Sequence, residues 1–321
     1  MNAVVACNDD VDLKTHLSEI ERLGESEVVD TAREIASITG ATLLPVRDVR
    51  SALDALRRLR PDVVINLCEG VAGRPEWEMH FALALEMLGI PATSGDPVSI
   101  GICNDKLLTK RILSAAGVST PRAFDPHTAG PWIVKPSRED AGIGIDATSV
   151  CDTGHEVMDR MRWVVETYRQ PALVEEFIDG RELNQALFHG RDGMVMLPPG
   201  EIVFSEELGP HERVVGWKAK WASGSRQDRG SVNRTPGVMS DTLRSDVASL
   251  CAAAADVLSL RGYCRLDLRQ RPTGELCIID VNPNPDIGPD TGFRKALAAA
   301  GIEFPDFLNE LMISALPQRR P

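Results

Sequence analysis

The first hundred residues alternate short apolar runs with helix-length amphipathic segments, and no other feature narrows the possible folds as far. AVVAC (3–7), TLLPV (42–46) and DVVINL (62–67) have the length and composition of strands, while residues 26–38, 49–59 and 76–88 carry helical patterns. This alternation builds parallel strands joined by crossover helices, an open α/β layer. GIPATSGDP, which follows, reads as a short strand and a turn.

The later chain changes character. A helix is expected from Asp105 to about Ala116, ended by Gly117. PWIVKP (131–136) and ALVEEFI (172–178) read as strands flanking a helix at 154–167. LNQALF, GMVMLP and EIVFSEE then suggest an antiparallel sheet with hairpin turns. The tract 217–237, WKAKWASGSRQDRGSVNRTPG, is polar and aperiodic and reads as a long loop, a kind of segment that is often functional. A helix over 241–260 precedes YCRLDLRQ and ELCIID, two arms of a hairpin around Pro272-Thr273-Gly274, and helices are expected at 291–300 and 305–315. At 321 residues the chain exceeds one compact core, which predicts two or three subdomains.

Composition removes several function classes. A formal charge of −12 argues against general nucleic-acid binding, which draws on basic contacts to phosphate. The seven Cys include no Cys-x-x-Cys pair and the six His no ligand spacing, so neither a zinc site nor a disulfide framework is expected. The start lacks a basic region followed by an apolar one, and no segment approaches a membrane span, so the chain reads as cytoplasmic with no membrane partner. Lys supplies only 7 of the 35 basic residues, at 14, 106, 110, 135, 218, 220 and 295. A compact ammonium suits a point contact to phosphate, and several of these positions fall in the tracts described next.

The tract IIDVNPNPDIGPDTG (278–292) follows an apolar run with a dense set of oxygen-bearing side chains. Such residues make strand-ending turns, and they also make ligands for hard cations. Asp267 and Asp280 lie on the two hairpin arms, and Asn282 shares the face of Asp280 because strand side chains alternate. If the register allows, the three form an oxygen set for Mg²⁺; the competing reading is a hairpin with solvated carboxylates. Lys135 precedes Pro136 and is therefore extended, at a strand end. In the next residues, SREDAGIGI, Gly142 and Gly144 suit either an anion-binding nest or an ordinary turn.

The order of NDKLLTK, VKPSRED, LVEEFIDGRE, WKAKW, CRLDL and IIDVNPNP is similar to that of the ATP-grasp superfamily, and from about residue 60 to 315 the chain resembles the D-alanine–D-alanine ligases. The resemblance implies an ATP-grasp fold, α/β and α+β overall, with an N-terminal open parallel layer at 1–95, a central subdomain at 96–178 and a C-terminal subdomain at 179–321. It implies that Lys106 and Lys135 contact ATP phosphates beneath the loop Gly142, Ile143, Gly144. Glu175 and the backbone of Glu176, Phe177 and Ile178 would read adenine, and Glu182 the ribose. Lys220 would reach the γ-phosphate, Arg265 would steady the oxyanion, and Asp267, Asp280 and Asn282 would hold two Mg²⁺, or Mn²⁺ in their place. The implied chemistry is ATP-dependent joining of a small-molecule carboxylate to an amine through an acyl phosphate, in a homodimer.

Departures from the family pattern gather on the amino-acid side. Ala141 and Trp221 replace a Ser and a Tyr, Asp280 replaces a Glu, and Asp286 stands where Gly is usual. Glu27 either matches an N-terminal Glu of the family or is a helix-surface carboxylate; Thr291 keeps the hydroxyl of a Ser that binds the acceptor carboxylate. The expectation is an amide-forming ligase on amino acids or amino-acid-like substrates. A D-alanine–D-alanine ligase with divergent loops and a non-catalytic ATP-binding module are the alternatives.

Overall fold

A computed structural model describes residues 1–13, 27–217 and 224–317. Its first layer is the expected one. β1 (Ala3–Asn8), α1 (Glu27–Thr39), β2 (Thr42–Val46), α2 (Val49–Leu59) and β3 (Val63–Asn66) form a parallel sheet in the order β2-β1-β3 with its crossover helices. Every residue of β1 and β3 is buried, as parallel strands covered on both faces require. α2 begins where the Asp48 carboxylate accepts from the Ser51 N–H at 2.9 Å, and ends at Arg60 in the left-handed conformation.

After α3 (Glu78–Met87) the structure departs from the expected strand and turn. Only a single bridge, Ala92 to Val64, extends the sheet. A short helix, α4 (Pro97–Cys103), then starts on the Asp96 carboxylate, which accepts from the Val98 and Ser99 N–H groups, with Pro97 at the first helical position. α5 (Lys106–Ala115) is capped in the same way by Asp105.

The second sheet is antiparallel, in the order β5-β4-β6, from β4 (Trp132–Pro136), β5 (Val150–Cys151) and β6 (Ala172–Glu176). It packs on α6 (Gly154–Tyr168), whose start is fixed by a reciprocal Thr153–Glu156 capping box.

The third sheet runs β10-β9-β7-β11-β12, with β8 also on β7. Its strands are β7 (Arg181–Gly190), β8 (Gly193–Met196), β9 (Gly200–Phe204), β10 (Ser231–Arg234), β11 (Tyr263–Gln270) and β12 (Leu276–Asn282). The tract expected as a long loop is in part ordered: its described portion holds α7 (Arg226–Gly230) and β10, which pairs antiparallel with β9. α8 (Asp241–Val257), α9 (Gly292–Ala299) and α10 (Phe304–Ala315) complete the chain.

Two cores join the third sheet to the first layer and to the helices around it. Val5, Ile35 and Ile65 of the first layer pack in one cluster with Phe188, Tyr263, Phe293 and Phe307, so the first sheet and the C-terminal helices share a core. Leu113 of α5, Val247 of α8, and Leu266 and Ile278 of the third sheet form another. Each of these side chains contributes about 1.5–3 kcal/mol by burial, so the surroundings of β12 are firmly held. All seven Cys are free and buried, as small core residues. Among the described residues, no helix is long and apolar enough to cross a membrane.

Candidate active site

Strand register assembles the oxygen face. Across the antiparallel β11–β12 pair, Asp267 stands opposite Asp280 and Arg265 opposite Asn282. Directly opposed residues share a face, and so do residues two apart, which places all four side chains on one surface. Immediately beyond this face the register slips: Leu268 pairs with Ile278, leaving Ile279 as an extra residue. That is a β-bulge, which re-aims the side chains next to it.

β12 is an edge strand, so its outer N–H and C=O groups need partners from outside the sheet. They find them in other elements. Ile278 N–H donates to the Ser119 carbonyl at 2.9 Å. The Lys110 ammonium donates to the Ile278 carbonyl at 2.6 Å, and that of Lys135 to the Ile279 carbonyl at 3.3 Å.

Three buried lysines therefore line the inner side of the site. Lys106 and Lys110 are one turn apart on α5 and share a face; Lys135 reaches in from β4. Lys106 Nζ lies 2.8 Å from Asp140 Oδ1 and 3.2 Å from Asp280 Oδ1. Glu175 takes Lys135 on Oε1 at 2.7 Å and Lys110 on Oε2 at 3.2 Å, the latter without hydrogen-bond alignment. Three ammonium groups thus face three carboxylates.

The charges shape each other. Burial alone would lower the Lys106 ammonium, yet Asp140 and Asp280 outweigh it and hold its pKa above the ordinary value. Burial dominates at Lys110, which Glu175 only partly compensates and which is pushed down to about 8. At Asp280 burial acts upward, but Lys106, Lys135 and Lys110 bring the carboxyl down to about 2. Arg265 is held above its usual range by Asp267, which it grips through two bonds of 2.9 Å.

The strand end expected to read a nucleotide base is also tied to distant cations. Glu175 turns its carboxylate inward to the lysines. Glu176 accepts from Arg271 and, at 3.0 Å, from Arg122. Burial pushes the Glu176 carboxyl up, and the two guanidiniums overcome it and set the group at about 2. Phe177 and Ile178 are buried; Phe177 N–H donates to the Pro131 carbonyl at 3.0 Å, and the Ile178 carbonyl accepts from Arg269 at 2.8 Å. Arg269 also grips Glu182, with both bonds on Oε2.

The glycine loop is more closed than a nest. Gly142 and Gly144 have φ of +78° and +71°, and Ala141 +54°. Ile143 N–H donates to the Asp140 carbonyl at 3.0 Å and Ile145 N–H to that of Gly142 at 3.2 Å. Those donors thus serve the loop's own turns, and the buried Ile143 anchors it to the second sheet.

On the amino-acid side, the Thr291 hydroxyl caps α9, accepting from Arg294 N–H at 3.3 Å and donating to the Gly288 carbonyl at 2.8 Å. Asp286 accepts from Gly288 N–H at 2.8 Å and, with Val28, Thr31, Glu69 and Tyr263, lines a cavity of about 10 Å³, room for one water. Glu27 opens α1 but its side chain lies outside the described residues, as do Lys220 and Trp221.

Lys110 has no role in the sequence-based expectations. Its signal was its spacing, four residues after Lys106 on a capped helix, in a chain that otherwise prefers Arg. Arg269 and Arg271 carried no such signal, because their partners lie about ninety residues away.

The donor set suits a hard cation. Two carboxylates and an amide oxygen on one face match Mg²⁺, which keeps waters and binds through one or two carboxylates plus substrate phosphates. Among the described residues no three His, Cys, Asp or Glu side chains gather into an all-protein metal cage.

The chain is also similar to known proteins. Residues 108–313 match the family model described as D-ala D-ala ligase C-terminus. An uncharacterized protein, y4sG, of Sinorhizobium fredii is 28% identical over 260 residues, 78% of this chain and 73% of that one. A D-alanine–D-alanine ligase of Gluconobacter oxydans is 26% identical over 282 residues, 84% of this chain and 86% of that one. The crystal structure of the D-alanine–D-alanine ligase of Bacillus anthracis superposes with a TM-score of 0.75 at 20% identity, over 98% of this chain and 97% of that one.

Proposed function

Because the chain belongs to the D-alanine–D-alanine ligase family and has the ATP-grasp fold of a carbon–nitrogen ligase, we propose that it joins a carboxylate to an amine through an acyl phosphate, on amino acids or amino-acid-like substrates. The observation that carries this reading is the shared face of Asp267, Asp280 and Asn282 with the Lys106 ammonium 3.2 Å from Asp280. An acidic protein that binds a triphosphate needs local positive charge and divalent ions, and this is where both fit.

In the proposed reaction ATP is a substrate. Lys106 and Lys135 would hold its phosphates, exchanging part of their contact with Asp280 and Glu175 for phosphate oxygens. Asp267, Asp280 and Asn282 would hold Mg²⁺, which when bound neutralises charge on the transferring phosphoryl group. Phosphoryl transfer rests on such positioning and charge stabilisation. The substrate carboxylate takes the γ-phosphoryl group as the β–γ anhydride breaks and ADP leaves; the amine then attacks the activated carbonyl, and phosphate and the amine's proton leave as the amide forms. Arg265, fixed by its two bonds to Asp267, is aimed along the same face and would steady the oxyanion of that second step. The backbone from Glu176 to Ile178 would contact adenine, and Glu182 would offer Oε1 to the ribose while Arg269 holds Oε2.

The substrate side supports a product other than D-alanyl-D-alanine. The Thr291 hydroxyl is engaged in capping α9. Two acidic side chains, Glu69 and Asp286, line the small cavity between α1 and the turn that follows β12. Product identification by mass spectrometry after incubation with ATP, Mg²⁺ and pooled amino acids tests the proposal. Phosphate release with D-alanine alone, matching the rate with the full pool, would replace it by a D-alanine–D-alanine ligase. ATP binding without ADP formation over the panel would replace it by a binding module.

A further inference from the structure

We propose that Lys110 is a positioning residue for the metal-facing end of β12, acting through the Ile278 carbonyl; this rests on the ligase reading above and extends it to a residue outside the expected ATP and metal set.

The argument starts from the bulge. In a regular strand successive carbonyls point to opposite edges, but here the carbonyls of Ile278 and Ile279 both meet lysine ammonium groups. The extra residue that turns them lies between Ile278 and Asp280, so the conformation of the bulge sets where the Asp280 carboxylate sits relative to Asp267. β12 has no strand on its outer side, so the sheet alone does not fix that conformation. The 2.6 Å bond from Lys110 does, together with the Ser119 carbonyl on the Ile278 N–H and the Lys135 bond to the Ile279 carbonyl.

Packing alone does not call for a charge at this position. Lys110 is 9% exposed, with Leu113 of the same helix in the adjoining apolar core. A well-packed apolar side chain in place of a buried ionic group is often neutral or stabilising. What an apolar side chain cannot supply is a donor for the Ile278 carbonyl. Arg, which this chain uses at 28 of its 35 basic positions, is a planar fork, ill matched to one carbonyl beside one carboxylate oxygen. Lys110 hydrogen-bonds no atom of Asp280; apart from the charge it shares with Lys106 and Lys135 near that carboxylate, its contact reaches the metal ligand through the backbone.

The test is the Mg²⁺ dependence of ATP affinity, measured by calorimetry on the full chain with and without MgCl₂. The proteins compared are the wild type, Lys110→Met and the double variant Lys110→Met/Glu175→Gln, which removes the carboxylate left with one fewer partner and provides a folded protein if the single variant does not fold. The expected result is that Lys110→Met keeps its metal-free ATP affinity but loses at least about tenfold of the tightening by Mg²⁺. The double variant should regain melting temperature and not the Mg²⁺ response. A wild-type Mg²⁺ response in Lys110→Met overturns the proposal. So does its recovery in the double variant, which would make the role one of charge balance alone, or an equal loss with and without metal, which would make Lys110 a direct ATP contact. If the wild type itself binds no ATP, the ligase reading falls and this inference with it; if the wild type responds to Mg²⁺ and the variant matches it, only this inference falls.

Discussion

Asp267 and Asp280 face each other across the β11–β12 pair, and each is met by a cation from a different direction: Arg265 from its own strand, Lys106 from α5. Two carboxylates that close repel unless cations lie among them, so the pair is arranged for charge from outside the sheet. Asp267→Asn keeps the volume and one oxygen but removes the negative charge. ADP release should fall at least about a hundredfold, with the far-ultraviolet circular dichroism unchanged. Wild-type turnover in this variant would remove Asp267 from the metal set.

Lys106→Met tests the other half of the same arrangement. The ammonium is 5% exposed and shared between Asp140 and Asp280, so its loss takes away a charge-assisted phosphate contact and leaves two carboxylates facing each other. A loss of about 2 kcal/mol in ATP binding, about thirtyfold in Kd, is expected together with a lower melting temperature. An unchanged Kd in calorimetry would place the triphosphate elsewhere.

Much of this arrangement is legible in the chain, and the parts that are not share a cause. Thr42–Val46 and Val49–Leu59 match their expected bounds residue for residue, because an apolar run and a capped amphipathic segment are locally defined. α4 is hidden because seven residues that include Ile100, Gly101 and Ile102 have little helical preference; Asp96 and Pro97 were its signals, and packing against α3 and α5 supplies the rest. β10, with the sequence SVNR, is a half-exposed edge strand whose pattern does not stand out from a loop. The oxygen face followed from strand alternation. The bulge at Ile279, the inward turn of Glu175 and the arginine partners of Glu176 and Glu182 depend on elements far apart in sequence, and nothing local encodes them.

Glu176 gives the protein a specific acid sensitivity. Its carboxyl, ordinarily near 4.5, sits at about 2 in the folded chain through Arg271 and Arg122. The unfolded chain therefore binds the extra proton between those values, so this contribution is complete above the unfolded pKa and is lost as pH falls toward 2. Glu176→Gln should be less stable than the wild type near pH 7, and that difference should shrink by about 2–3 kcal/mol on acidification to about pH 2. Denaturant melts of both proteins across that range measure it; a pH-independent difference would mean that the ion pairs with Arg271 and Arg122 do not set this carboxyl.

The glycine loop makes the last prediction, because two of its residues are held by close contacts. A Cβ on Gly144 would lie 2.6 Å from Pro136 Cγ and 3.0 Å from Tyr168 Cε2, and φ there is +71°. A Cβ on Gly142 would come within 2.8 Å of the backbone of Val215 and Gly216, where the chain enters the segment that carries Lys218 and Lys220. Neither the proline ring nor the backbone can give way cheaply, and the left-handed conformation itself costs an L-residue about 1–2 kcal/mol. Gly144→Ala should therefore lower stability by about 2 kcal/mol or more. Gly142→Ala should combine a loss of stability with weaker ATP binding, because it displaces the loop from the backbone of Val215 and Gly216. Gly154→Ala, at the start of α6 with nothing within 4 Å of the new Cβ, is the control and should be neutral or stabilising. Thermal melts of the three variants rank them; equal stability of Gly144→Ala and Gly154→Ala would show that the loop does not need the backbone freedom of glycine.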